Sequence, residues 1–371
     1  MSSTIASQLH TDHTACRLEI DGRPIELSWR WLRDHARDDG SFLASAHQRL
    51  VTPATVASAG EGLAEMRDGG ATLRVTWPDG TIADWSVDWL ARTSTDADAA
   101  TSVADLVGAA RPWCGAEVAE RLTRLPIDEF EQPDGLEAAL RGLARDGLVV
   151  VTGVPTDQAT TRRVIEHFGY VRMTIFGDLW EFRSDGGFDD TASTPLEITP
   201  HTDGTYSHDA PGLLALHCHV YEATGGENVF VCGHELSSRL AAASPRHHEL
   251  LSTIDVPGQY IGDGAHLMAR RPPLRHDGER LVQISYNHHD RAPFRLEEPL
   301  MTEVFDALAH LDRLANDPAL QFELAMRPGD MVVFDNWRVL HGRRAFRGER
   351  LIAGGYVNRE DVDSTARRLL A

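Results

Sequence analysis

Around residue 93 the chain changes its repeat. Over 16–92, short runs alternate apolar and polar residues and are separated by Asp-Gly turns. Cys16-Arg-Leu-Glu-Ile20, the Asp21-Gly22 turn and Ile25-Glu-Leu-Ser-Trp29 predict one hairpin. Leu73-Arg-Val-Thr-Trp77, Pro78-Asp-Gly80 and Thr81-Ile-Ala-Asp-Trp85 predict a second. Five of the eight tryptophans (29, 31, 77, 85 and 89) fall here, where they suit the filling of a small core. A polar Ala/Thr/Asp segment follows at 93–102, and beyond it helical spacing alternates with strand-like runs. Residues 134–146 predict a helix stopped by Gly147, then the apolar strand Leu148-Val-Val-Val-Thr152. Thr156 or Asp157 suits the cap of a helix reaching about Phe168. Residues 197–234 read as strands broken by turns, 299–314 as an amphipathic helix, and 331–334 and 351–357 as strands. The chain of 371 residues thus divides into a polar tail (1–15), a small β-rich domain (16–92), a linker (93–114) and a large domain (115–371).

Whole classes of chemistry are absent. All 36 basic residues are arginine, so no lysine is present to form a Schiff base or to serve as a phosphate-loop lysine. Against 56 acidic residues the formal charge is −20, which disfavours nucleic acid and anionic membranes and favours cationic or neutral substrates. The four cysteines (16, 114, 218 and 232) are scattered with no Cys-x-x-Cys pair, which predicts a reducing, cytoplasmic setting. No apolar run suits a signal peptide or a membrane span.

The chemistry therefore rests on histidine and carboxylate. His-x-Asp occurs four times, at His10/Asp12, His201/Asp203, His288/Asp290 and His310/Asp312. His10 lies in the polar tail, and positions 310 and 312 point apart on a helix. His288, after a strand, stays open. His201 follows Leu196-Glu-Ile-Thr-Pro200, and on a strand residues i and i+2 share a face. A second half-site comes 138 residues after Asp203, where His341 precedes another strand. Two neutral imidazoles and one carboxylate leave three cis positions open on a metal, the pattern of non-haem Fe(II) oxygenases. Nine residues later Arg350 begins an apolar strand, where a buried guanidinium can clamp a carboxylate bidentately.

These residues resemble a known family. From about 115 to 371 the chain is similar to the taurine-dioxygenase type of Fe(II)/2-oxoglutarate dioxygenases, and more specifically to the γ-butyrobetaine and trimethyllysine hydroxylases. The carrying strings are Trp31-Leu-Arg-Asp34, Trp77-Pro-Asp79, His201-Thr-Asp203 and Phe334-Asp-Asn-Trp-Arg-Val-Leu-His-Gly-Arg-Arg344, which span nearly the whole chain in order. The resemblance implies mixed β structure with flanking helices: a double-stranded β-helix, jelly-roll-like, plus a small N-terminal β-rich domain. It implies Fe(II) on His201, Asp203 and His341, 2-oxoglutarate on Arg350 beside Leu216, O2 as oxidant, and ascorbate as a supporting reductant. Arg343 and Arg344 are expected at the surface or behind the site.

The same resemblance implies an aromatic cage for a trimethylammonium group, with Phe176, Trp180 and Tyr356 on cage positions. Phe176 and Trp180 are spaced for a helix, though a loop fits equally. Two positions depart from the γ-butyrobetaine pattern: Ser193 stands where a fourth cage aromatic belongs, and Asp190 where an asparagine helps bind the substrate carboxylate. Asn287 fits the family's second polar anchor, and Tyr206 can donate to an acidic group. The three-cysteine zinc site that relatives often carry in the N-terminal domain has no counterpart after Asp34. In the family that domain supports a homodimer. The reading is hydroxylation of a small quaternary-ammonium substrate, γ-butyrobetaine to carnitine by default, with trimethyllysine or a trimethylaminoalkyl phosphonate as alternatives. A non-catalytic barrel binding a betaine or 2-oxoglutarate is the rival of another class. A metal hydrolase using Asp290 or Glu197 as base is a further one. His217/His219, His247/His248 and His288/His289 read as surface or satisfied core histidines.

Overall fold

The computed structural model describes residues 6–93, 110–183, 194–262 and 264–370. These fall into two compact units, within 1–100 and 101–371.

The first unit holds two three-stranded antiparallel sheets, Ala6–Thr11 with Ala15–Ile20 and Arg23–Ser28, and Leu63–Arg67 with Thr72–Thr76 and Ile82–Ser86. Asp21 and Gly22 both take positive φ (50° and 74°), the backbone that a tight two-residue hairpin needs. Trp29, Trp77 and Trp85 are buried with Leu18, Leu73 and Val75, while Trp31 and Trp89 are half-buried. Two expectations are corrected. The stretch 1–15 is not a tail throughout, because Ala6–Thr11 pairs with the next strand. Backbone pairing requires no apolar side chains, and Asp12 closes the turn by accepting from the Thr14 and Ala15 amides. Trp29 opens the helix Trp29–Asp34 rather than closing a strand, with Ser28 capping the Trp31 amide.

The second unit begins earlier than the expected linker end at 114. Trp113 is fully buried in its core, and its indole N–H donates to the Asp146 carbonyl at 2.6 Å. The rest of that linker, 94–109, lies outside the described residues. Two sheets face each other. One orders the strands Leu179–Arg183, Phe346–Val357, Leu213–Gly225, Met331–Asp335, Leu148–Thr152 and Arg124–Pro126. The other orders Ile198–His201, Val339–Arg343, Asn228–Cys232 and Gln321–Leu324.

Strand alternation builds three layers from these sequences. Leu148, Val150, Leu214, Leu216, Val332 and Phe334 face inward and meet Phe230, Phe322 and Val339 of the opposite sheet. The alternate residues Val149, Val151, Ala215 and Val333 face out and are covered by Leu140 and Leu143 of the helix Pro133–Asp146, Val164 of Gln158–Glu166 and Val362 of Arg359–Leu370. On the other side Val231 and Leu340 pack on the helices Gly233–Ala243, Pro245–Thr253 and Leu300–Ala315. The architecture is a double-stranded β-helix with flanking helices. Local signals held closely: Gly147 ends its helix at φ 81°, and Asp157, not Thr156, caps the next. No helix among the described residues is long and apolar enough to cross a membrane.

Candidate active site

The strand Ile198–His201 ends with His201 directly opposite His341 on Val339–Arg343, and Asp203 follows in the loop. One donor atom from each of the three lies within 4.8 Å of the others; among the described residues this is the one such group of three. The Asp203 carboxylate stands 3.3 Å from His201 Nε2 and 3.7 Å from His341 Nε2. His201 Nδ1 lies 2.9 Å from the Thr199 carbonyl, which can only accept, so Nδ1 carries the proton and Nε2 keeps its lone pair. Burial pushes His341 down to about 3 and keeps its imidazole neutral. Burial alone would raise Asp203, but His341, His201 and the Tyr356 hydroxyl hold it well below the usual carboxylate range. Asp203 in turn raises His201 against the effect of burial. Two neutral-capable imidazoles and an ionised carboxylate fit a divalent iron, and the buried His341 Nδ1 has no hydrogen-bond partner among the described residues.

Asn336 pins the loop. Its carbonyl accepts from the Asp203 amide at 2.8 Å, and its NH2 donates to the carbonyls of Asp203 and Pro211, each at 3.0 Å.

The three donors line a cavity of about 330 Å³. Arg350, Asn228, Leu214, Leu216 and Ile352 line it from the barrel interior. Arg350 is 5% exposed, donates to Asn228 Oδ1 at 3.2 Å and meets no carboxylate among the described residues. Its Nε has no hydrogen-bond partner among the described residues, and burial lowers its pKa. A buried guanidinium of this kind fits a ligand carboxylate. Trp180 packs on Tyr356 (ring centroids 5.6 Å apart) and on Phe182 (4.5 Å). Phe176 meets Tyr260 at 5.4 Å, and Tyr260 meets Tyr206 at 5.3 Å. The Tyr356 hydroxyl donates to Asp203 Oδ2 at 2.8 Å. A polar wall carries Asn287, His289, Asp290 and Gln259.

The cavity gathers ten of the twelve residues singled out from sequence: His201, Asp203, His341, Leu216, Arg350, Phe176, Trp180, Tyr356, Tyr206 and Asn287. Asp190 and Ser193 lie outside the described residues. Phe176 sits in a turn closed by mutual Thr174–Gly177 backbone bonds, with Trp180 on the following strand, so the helical option falls away. Arg343 is buried and lines the cavity, donating to the carbonyls of Thr194 and Leu196, a more interior place than expected. Glu197 is paired with Arg344 at 2.7 Å, whereas Asp290 does reach the cavity. His310 faces His247, and Asp312 accepts from the Tyr286 hydroxyl. Asn228, Tyr260, Gln259, Phe182 and Asn336 were missed. Tyr260 and Gln259 belong to the hairpin strand Val256–Gly262, which no local motif marks as facing the iron-type donors.

The model of the family "Taurine catabolism dioxygenase TauD, TfdA family" matches residues 106–356. The trimethyllysine dioxygenase of Homo sapiens is 31% identical over 378 residues, covering 99% of this chain and 88% of its own. The gamma-butyrobetaine dioxygenase of Pongo abelii is 26% identical over 353 residues, covering 91% and 90%. Among solved structures, PvcB, an Fe, alpha-ketoglutarate dependent oxygenase, is similar with a TM-score of 0.47 at 20% identity, over 64% of this chain and 85% of that one. With its His-Asp-His donors inside a double-stranded β-helix, the chain belongs to the TauD, TfdA family and is a dioxygenase working with Fe(II) and 2-oxoglutarate.

Proposed function

We propose that the enzyme hydroxylates a C–H bond of a small trimethylammonium substrate. His201, Asp203 and His341 hold the iron, and Arg350 pairs with the distal carboxylate of 2-oxoglutarate beside Leu216. The observation that carries this reading is one cavity lined by the three donors, a buried arginine that meets no carboxylate among the described residues, and a set of aromatic rings. Iron held there would activate O2, the four-electron oxidant; two of the electrons come from 2-oxoglutarate, which leaves as succinate and CO2 with one oxygen atom, and two from the substrate C–H bond, which takes the other. The protein's part is placement. Trp180, Tyr356 and Phe176 present ring faces that attract a cation unable to donate hydrogen bonds. Leu214, Leu216 and Ile352 keep water from the reacting carbon.

The relatives support one order among the candidate substrates. Identity is 31% to the trimethyllysine dioxygenases of Homo sapiens and Bos taurus against 26% to a gamma-butyrobetaine dioxygenase, which supports trimethyllysine ahead of γ-butyrobetaine. The four free cysteines support a reducing, cytoplasmic setting. The proposed homodimer is checked by light scattering on the purified chain.

The test is succinate formation with Fe(II), ascorbate and 2-oxoglutarate, with and without Nε-trimethyllysine or γ-butyrobetaine. A large stimulation by either is expected, and its loss in both His201→Ala and Asp203→Ala. A background that neither amine changes would defeat the trimethylammonium reading.

A further inference from the structure

Away from the cavity, two helices bring a pair of imidazoles together. His247 lies on the helix Pro245–Thr253 and His310 on the helix Leu300–Ala315, and their Nδ1 atoms stand 3.1 Å apart with the rings at 82°. The approach is built into the packing. Leu250 and Leu251 of the first helix share a core with Val304, Ala307 and Leu311 of the second. Arg246 donates to Glu303 at 2.8 Å, and the His247 amide donates to Ser244 Oγ at 3.3 Å. The helices therefore meet in register, Arg246 on Glu303 and His247 on His310.

Without a ligand, one Nδ1–H donates to the other Nδ1. The same spacing suits an ion. Two imidazole nitrogens 3.1 Å apart, each bound at about 2.0–2.1 Å, subtend about 100° at a metal, between the octahedral and tetrahedral values. Binding asks only that the shared proton move to Nε2 of its own ring, with no net charge lost by the pair. Burial, His247 and Arg313 hold His310 below its ordinary value, which keeps its ring neutral at pH 7. A carboxylate stands close by. Asp306 lies one turn before His310, between the two helix contacts at 303 and 310, and residues four apart share a helix face. It is exposed and makes no ion pair among the described residues. Its oxygens do not close on the two imidazoles as tightly as His201, Asp203 and His341 close on one another, so it reaches an ion by a change of rotamer.

We propose that His247 and His310, with Asp306 closing on them, form a second metal site that takes a late first-row divalent ion such as Zn(II). Imidazole suits such ions. The site is structural: it ties together two helices on which Leu340, beside His341, packs, and it takes no part in the oxidation.

The experiment measures zinc bound per chain by equilibrium dialysis of the full chain, with Zn(II) alone as the probe. Wild type is expected to hold two ions, one in the cavity and one on the helices. His247→Ala and His310→Ala are each expected to lose one, and His201→Ala to lose the other. His276→Ala removes a nearby imidazole whose Nδ1 already donates to the Leu274 carbonyl, and is expected to keep two. Asp306→Asn is expected to fill the second site only at higher free zinc. Melting gives an independent readout: zinc is expected to raise the melting temperature of His201→Ala and to leave that of the double variant His201→Ala/His310→Ala unchanged. A wild-type chain that holds one ion overturns the site and leaves the pair as a hydrogen bond. So does a second ion that persists in both His247→Ala and His310→Ala with far-UV circular dichroism intact. An unchanged affinity in Asp306→Asn removes the carboxylate from the site.

Discussion

Both ends of the Asn336 amide bond the backbone of the loop that carries Asp203. Asn336→Ala strands the Asp203 amide and two carbonyls, each costing about 1–3 kcal/mol when buried without a partner. It is expected to weaken Fe(II) binding by about 10- to 100-fold, as loss of an outer-sphere support does, measured by chelator competition. Another buried polar residue contributes to the acid sensitivity of the fold. His217 is fully buried, bonded to Thr161 Oγ1 at 2.8 Å, and burial pulls it from 6.5 down to about 4. The unfolded chain takes up this proton near pH 6.5, the folded one only near 4, so protonation favours unfolding. The stabilisation is whole above pH 6.5 and drains as pH falls toward 4. His217→Asn is expected to flatten the melting temperature over that interval relative to wild type, as read by calorimetry.

The strand Phe346–Val357 does two jobs, joining the sheet and carrying Tyr356, which lines the cavity and packs on Trp180. Gly354 lies across from Trp180, and a Cβ added there would stand 2.2 Å from the Trp180 ring and 2.6 Å from the Ala215 carbonyl. Neither neighbour has room, because the indole is held against Tyr356 and Phe182 and the carbonyl is backbone. Gly354→Ala is expected to cost about 1–3 kcal/mol by overpacking. It should also raise KM for the trimethylammonium substrate well above any change for 2-oxoglutarate, a split that steady-state kinetics measures directly. Elements of this unit were legible where local chemistry decides them. The strand at 148–152 and the Gly147 stop are fixed by their own residues. The pair 201 and 203 was legible from its spacing, but not through strand periodicity: the strand ends at His201, and Asp203 is brought to it by the loop that Asn336 holds. The hairpin Val256–Gly262 with Ala265–Arg271 was not, since its contribution of Gln259 and Tyr260 depends on docking by the 286–292 segment. Ala6–Thr11 was missed for a related reason: an edge strand with polar side chains carries its signal in the partner's backbone.

At the scale of the molecule the charge of −20, with every cation an arginine, sets a field that distinguishes the two small reactants. Such a field favours a cationic substrate and disfavours the 2-oxoglutarate dianion, which the proposed pairing with Arg350 would offset. Raising salt toward about 1 M, where the screening length falls to about 3 Å, should therefore lower kcat/KM for the trimethylammonium substrate and raise it for 2-oxoglutarate. Opposite slopes in one titration are the expected result, and parallel slopes would point to a general salt effect. The Tyr356 hydroxyl on Asp203 bears on how such an enzyme can diversify. On the proposed cage, one side chain meets two requirements, the shape of the substrate and the stance of Asp203, so a substitution at 356 is expected to disturb both. New substrate preferences in this lineage are expected to arise in the Thr174–Gly177 turn and the Val256–Gly262 strand, with tyrosine at 356 as the fixed point around which they vary.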